Sequence, residues 1–208
     1  MLGLLLFCVI LEGCATQSSG AVSSPGGDGG TPTPVESASV SPSVLPGRVG
    51  TPAASQRIRF VPTEVVLPGG SHAPVLPAST VDGQLVVPER VQRVGWWDGG
   101  AEAGDPFGSV VLAGHVDSAT DGIGYFARLL KVKAGEVVVL RGDGHSASYQ
   151  VNSVVSVPKN ALATESGAFD QTGDHRLVLI TCTGAYDRAR GGYEQNLVVS
   201  AEPMGLAR

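Results

Sequence analysis

The chain has 208 residues, with 29 glycines, 14 prolines, 5% aromatic residues and a formal net charge of -5. That length admits one domain with extensions, and so much glycine with so few aromatics leaves a good part of it outside any packed core. The acidic balance, with Lys and Arg scattered rather than clustered, gives no footprint for a polyanion, so nucleic acid is excluded as an expected partner.

Residues 1–10 are almost entirely apolar and run into Leu11-Glu12-Gly13-Cys14-Ala15. A bilayer span takes about 20 residues, so this run is too short to cross and instead suits the apolar part of an export signal. No positive residues precede it. Leu-x-Gly-Cys resembles a bacterial lipobox, in which Cys14 would be the lipidated residue, although Glu12 is unusual there. Residues 1–15 are expected to be an export signal or a lipoprotein-type anchor, which leaves the chain membrane-tethered or secreted. Residues 16–56 are rich in Ser, Pro, Gly, Thr and Ala, as in Thr31-Pro32-Thr33-Pro34. Such a composition cannot bury enough apolar surface to offset chain entropy, so it is expected to be a disordered spacer.

The folded domain is expected over 57–208. Arg57–Val61 alternates polar and apolar, as a half-buried strand does. Glu64–Leu67 is a strand stopped by Pro68-Gly69-Gly70. Pro74–Ala78 is extended, and Gln84–Pro88 is the next strand. Residues 88–97 lead into a loop at Asp98-Gly99-Gly100. Ser109–His115 is a buried strand ending in a histidine, and Gly124–Leu130 a short helix. Glu136–Leu140 and Ala147–Val157 flank Gly142-Asp143-Gly144 as a hairpin. Lys159–Phe169 holds a helical turn or two. Leu177–Cys182 is a buried apolar strand with the cysteine at its last position, at the rim of a sheet, followed by Thr183-Gly184. A polar loop over 187–192 leads to the last strand, Asn196–Ala201. Many short strands with Gly and Pro turns and little helix argue for an all-β chain closed into a small barrel.

Cys182 is the single cysteine of the expected folded region; Cys8 and Cys14 lie in the N-terminal segment. A thiol attacks as thiolate, and an imidazole such as His115 can take its proton or pair with it. An acyl transfer also needs an acid for the leaving amine and donors for the oxyanion. On the residues alone, inert packing for Cys182, a structural His115 and solvated Arg188 and Arg190 remain open beside this reading. One cysteine and dispersed histidines (72, 115, 145 and 175) give no zinc spacing. His72, His145 and His175 are read as solvent-facing.

Val111-Leu112-Ala113-Gly114-His115-Val116-Asp117-Ser118 and Leu179-Ile180-Thr181-Cys182-Thr183-Gly184-Ala185-Tyr186-Asp187 together resemble the two defining motifs of the sortase family. Tyr193–Val199 and Pro88–Trp97 resemble the class F branch found in actinobacteria. The likeness spans roughly Gln84 to Pro203. It implies a closed, eight-stranded β-barrel and a cysteine transpeptidase that cuts a Leu-Pro-x-Thr-Gly-like sorting motif between Thr and Gly. Cys182 would carry the acyl group and His115 would be the acid–base residue. The partners implied are a sorting-motif-bearing surface protein and an amine of the peptidoglycan, with no cofactor or metal; the enzyme is expected to be a monomer.

Two departures stand out. Many sortases carry a full transmembrane anchor, which the short N-terminal run does not match. Family members also use an arginine near the start of the last strand, where this chain reads Tyr193-Glu194-Gln195-Asn196. Arg190 is taken for that role, with Arg188 second. Thr181 is expected to shape the surroundings of the cysteine and Asp117 to sit beside the histidine. Two alternatives remain: a degenerate barrel that binds peptide or wall fragments without turnover, and an L,D-transpeptidase. The second expects a Ser-x-Gly-Cys string, which is absent.

Overall fold

The structure is a computed structural model and describes residues 57–189 and 191–208. The anchor and spacer expected over 1–56, with Cys14, and the candidate Arg190 lie outside the described residues.

Among the described residues twelve strands follow one another: β1 (Glu64–Val66), β2 (His72–Ala78), β3 (Thr80–Val81), β4 (Gln84–Leu85), β5 (Val94–Trp97), β6 (Ser109–Ala113), β7 (Asp117–Ser118), β8 (Gly122–Ile123), β9 (Val137–Gly142), β10 (His145–Pro158), β11 (Arg176–Asp187) and β12 (Gly192–Pro203). Eight of them close a barrel in the order β1-β2-β5-β6-β11-β12-β10-β9, while β3-β4 and β7-β8 are separate two-stranded ribbons. Two 3-10 helices, Tyr125–Lys131 and Lys159–Ala161, complete the fold. The expected all-β, eight-stranded barrel is the architecture found.

Local chemistry sets several of these elements. The β9–β10 hairpin turns on Asp143 and Gly144, with φ of 54° and 77°. Positive φ at both central residues is the turn whose twist matches the flanking strands. β6 and β11 run parallel, pairing Leu177 with Val110 and Ile180 with Ala113. Both are buried over Val110–Ala113 and Leu177–Ile180. Leu112, Leu177 and Leu179 pack inside the barrel with Tyr149, Phe126 and Val199. Their neighbours Val111, Ala113, Val178 and Ile180 pack on the other face, under Leu85, Val87, Leu162 and Phe169. Burial on both faces explains why these strands read as continuous apolar runs instead of alternating ones.

Several sequence expectations are corrected. Arg57–Val61 is not a strand; only Phe60 makes a bridge, to Ala103. Gln84–Pro88 does not join the barrel. Only Gln84–Leu85 is strand, and it pairs with Thr80–Val81 in a side ribbon. Val94–Trp97, expected to lead into a loop, is barrel strand β5, parallel to β2 and antiparallel to β6. Cys182 is not the end of its strand: β11 continues to Asp187, with a register shift between Thr183 and Tyr186. Gly184, at φ 85°, supplies the left-handed residue in that irregular stretch.

Candidate active site

Side chains alternate faces along a strand. Val178 and Ile180 lie on the outer face of β11, so Cys182 continues that face, and Thr181 turns inward with Leu179. Val198 lies on the same outer face of β12, so Asn196, two residues before it, does also. β6 ends at Ala113 while β11 runs on, so among the described residues no strand pairs with the cysteine strand on that side beyond Ile180. The gap is a groove of about 450 Å³ lined by Gly114, His115, Lys159, Cys182 and Asn196, with an apolar wall that includes Leu85 and Phe169. Cys182 and His115 are both half-buried. Two residues far apart in sequence thus open onto one groove on the outside of the barrel.

The contacts that fix this arrangement are specific. Thr181 is buried and its Oγ1 donates to the carbonyl of Gly114 over 2.8 Å, which ties the residue before the cysteine to the residue before the histidine. A Cβ at Gly124 would come within 2.3 Å of the His115 carbonyl oxygen, so only glycine lets that segment pass so close behind the histidine. Asp117 is exposed and accepts a 2.5 Å hydrogen bond from the Tyr193 hydroxyl, which links the strand after the histidine to the start of β12. That carboxylate pushes the Tyr193 phenol up to about 12. Tyr193 in turn meets Tyr186 edge to face at 5.2 Å.

Burial is the main influence on the Cys182 thiol and pushes it above its ordinary value; the Lys159 ammonium opposes that, and Asp117 adds to it. Across the β11–β12 pair, Cys182 faces Asn196, and its S–H points at Asn196 Oδ1 over 4.0 Å. Arg188, the second choice for the arginine, sits in the exposed turn after β11 and is not among the residues that line the groove. Lys159 and Asn196 are groove residues that sequence reasoning did not single out. Lys159 belongs to no motif; Asn196 lies within the Tyr193–Val199 likeness but was given no role there, and the signal that finds it is the register of β12 against β11.

The other histidines differ from one another. His72 is exposed and its Nδ1 lies 2.8 Å from Glu64 Oε1, while His145 stacks near Phe60. His175 corrects the sequence expectation: it is 8% exposed, not solvent-facing, and its Nε2 meets the Tyr149 hydroxyl at 3.0 Å. It lines a second cavity, of about 600 Å³, with Arg57, Asp105 and Glu202. That cavity is the roomier of the two, but neither Cys182 nor His115 borders it.

The closed barrel therefore carries a thiol and an imidazole on one outer groove. The Sortase domain family model matches residues 68–204, so the chain belongs to the sortase family, whose members are cysteine transpeptidases. The match begins upstream of Gln84, where the motif likeness begins, and takes in β2. No curated protein matches the chain. Among solved structures the fold is similar to sortase C-1 from Actinomyces oris, at 23% identity and TM-score 0.52 over 68% of this chain and 73% of that one. It is also similar to a lid mutant of sortase A from Corynebacterium diphtheriae, at 22% identity and TM-score 0.53 over 74% and 75%. Sortase A from Listeria monocytogenes aligns at 18% identity and TM-score 0.52 over 71% and 90%. Family membership sets aside the L,D-transpeptidase alternative.

Proposed function

We propose that the chain is a class F-like sortase that acts outside the cytoplasmic membrane and cuts a Leu-Pro-x-Thr-Gly-like sorting motif between Thr and Gly. The Cys182 thiolate attacks the Thr carbonyl, and His115 gives its proton to the departing Gly amine. The acyl group rests on sulfur as a thioester. An amine of the peptidoglycan then attacks, loses its proton to His115 and displaces the thiolate. Arg190, with Arg188 second, is the proposed arginine, and Thr181 and Asp117 are the proposed supporting residues. Residues 1–15 would tether the chain, 16–56 would give it reach, and 57–208 would be the catalytic domain.

The observation that carries this reading is that His115 and Cys182 line the same open groove. The apolar wall of that groove, with Leu85, Val87, Leu162 and Phe169, suits the Leu-Pro end of such a motif. A second reading is favoured by the upward push of burial on the thiol: a catalytically weak barrel that holds a peptide without turning it over.

Intact-mass spectrometry after incubation with a panel of sorting-motif peptides tests the choice. A transpeptidase gives a thioester adduct on Cys182, none with Cys182→Ala, and a much slower one with His115→Ala. Cleavage by Cys182→Ala at the wild-type rate would sink the mechanism. Peptide binding with no adduct, unchanged after alkylation of Cys182, would favour the second reading.

A further inference from the structure

The residue directly across from Cys182 in the β11–β12 pair is Asn196. It is 8% exposed, its amide oxygen is 4.0 Å from the sulfur, and it lines the thiol groove. Buried amides normally use both of their ends. Among the described residues no hydrogen bond occupies Asn196 Nδ2, so its two N–H donors remain available. The two ends of an amide exchange by a simple flip, so either can face an acyl oxygen held beside the sulfur.

A lysine on another element borders the same groove. Lys159 begins the 3-10 helix that follows β10 and lines the thiol groove. It also lines an adjoining groove of about 390 Å³ with Tyr193 and Glu194. The bare Gly192 leaves its ammonium room: a Cβ there would come within 3.2 Å of Lys159 Nζ. The charge influences that act between Cys182 and its neighbours come from Lys159, Asp117 and Tyr193, with His115 on the same groove. Lys159 is the cation among them that favours the thiolate.

Attack on the scissile carbonyl creates two needs. The sulfur must be stabilised as an anion before it attacks, and the carbonyl oxygen must be stabilised as it takes the displaced electron pair. We propose that Asn196 and Lys159 meet these needs, the Asn196 amide donating to the developing oxyanion and the Lys159 ammonium supplying positive charge to the thiolate and to that oxygen. The Sγ–C bond forms, the electron pair rests on oxygen, and its return expels the amine, which takes its proton from His115. Asn196 and Lys159 end each step as they began it, with no proton gained or lost. This assignment rests on Cys182 being the nucleophile, and it places the stabilising groups on residues that the arginine-based reading does not use.

The test has a readout that needs no substrate. The pH dependence of iodoacetamide alkylation is followed at Cys182 by peptide mapping, which separates it from Cys8 and Cys14 in the full chain. Lys159→Met is expected to move the midpoint upward, Lys159→Arg to restore it, and the exposed Lys133→Met to leave it in place. Asn196→Asp keeps the shape and sets a carboxylate against the sulfur, so it also moves the midpoint up. With a sorting-motif peptide, Asn196→Ala is expected to slow thioester formation by about 10²-fold, the scale for losing one oxyanion donor. Thermal melts show whether that variant still folds, and Asn196→Asp must slow the step as well. An unmoved midpoint in Lys159→Met beside a shifted one in Arg190→Ala gives the cation to Arg190 and overturns the lysine. An unchanged rate in both Asn196 variants overturns the asparagine. If the wild type forms no thioester at all while the Lys159→Met shift persists, the transpeptidase reading fails and the electrostatic role of Lys159 stands.

Discussion

Replacing Thr181 by valine removes one oxygen and keeps the shape of the side chain. That oxygen donates to Gly114 over 2.8 Å from a residue that is 2% exposed. Losing a buried hydrogen bond and stranding its carbonyl partner costs about 1–3 kcal/mol. A domain of this size melts about 2–4 °C lower per kcal/mol, so Thr181→Val is expected to lower Tm by roughly 2–12 °C. Thr181→Ser keeps the oxygen and loses a buried methyl, a loss of about 1 kcal/mol. The two variants part in function. The hydrogen bond joins the cysteine strand to the backbone just before His115, so the valine should slow thioester formation well beyond the serine. Thermal unfolding by circular dichroism and acylation rates at one peptide concentration measure both effects. A valine variant that melts within 1 °C of wild type and acylates as fast would refute the claim that this contact sets the spacing of the two residues.

Tyr193→Phe is expected to change stability by less than about 1 kcal/mol, because the hydrogen bond it breaks reaches an exposed carboxylate. Spectrophotometric titration of the phenols should lose the one ionising near pH 12; loss of one ionising near its ordinary value instead would show that Tyr193 and Asp117 are not paired in solution. Burial lowers the pKa of His175 from its ordinary 6.5. The unfolded chain then binds a proton that the folded one resists, so stability falls as pH drops below about 6.5. His175→Gln should remove that part of the slope in urea melts between pH 7 and 5, and an unchanged slope would contradict it.

The parts of this fold written in local chemistry were legible. Asp143-Gly144 between two alternating runs announced the β9–β10 hairpin, and the unbroken apolar runs before His115 and Cys182 announced two strands buried on both faces. Strand β5 was hidden, because Val94-Gly95-Trp96-Trp97 carries a glycine and draws its pairing from β2 and β6. Arg57–Val61 misled in the opposite way: it alternates well, but Phe60 finds a single partner residue, and alternation without a neighbouring strand is not a strand. The motifs located Cys182 and His115, whereas Lys159 lies in no motif and the Tyr193–Val199 likeness assigned Asn196 no role. Asn196 gains its place from cross-strand register and Lys159 from the turn after β10. The burial of His175 was masked by its polar neighbours Asp174 and Arg176, since the partner that draws it inward, Tyr149, lies on another strand.

The barrel closes where β1 meets β9, with Glu64, Val65 and Val66 opposite Arg141, Leu140 and Val139. That seam joins the beginning of the domain to its middle, and the parallel β6–β11 pair spans a comparable stretch of chain. Folds dominated by such distant pairings search long before their contacts begin to reward them, and they fold on the order of milliseconds to seconds. The groove that holds Cys182 lies beside the parallel pair, so it assembles only when that slow search is complete. A newly made chain would therefore carry an unassembled thiol for that interval, open to oxidation before it has a groove to sit in.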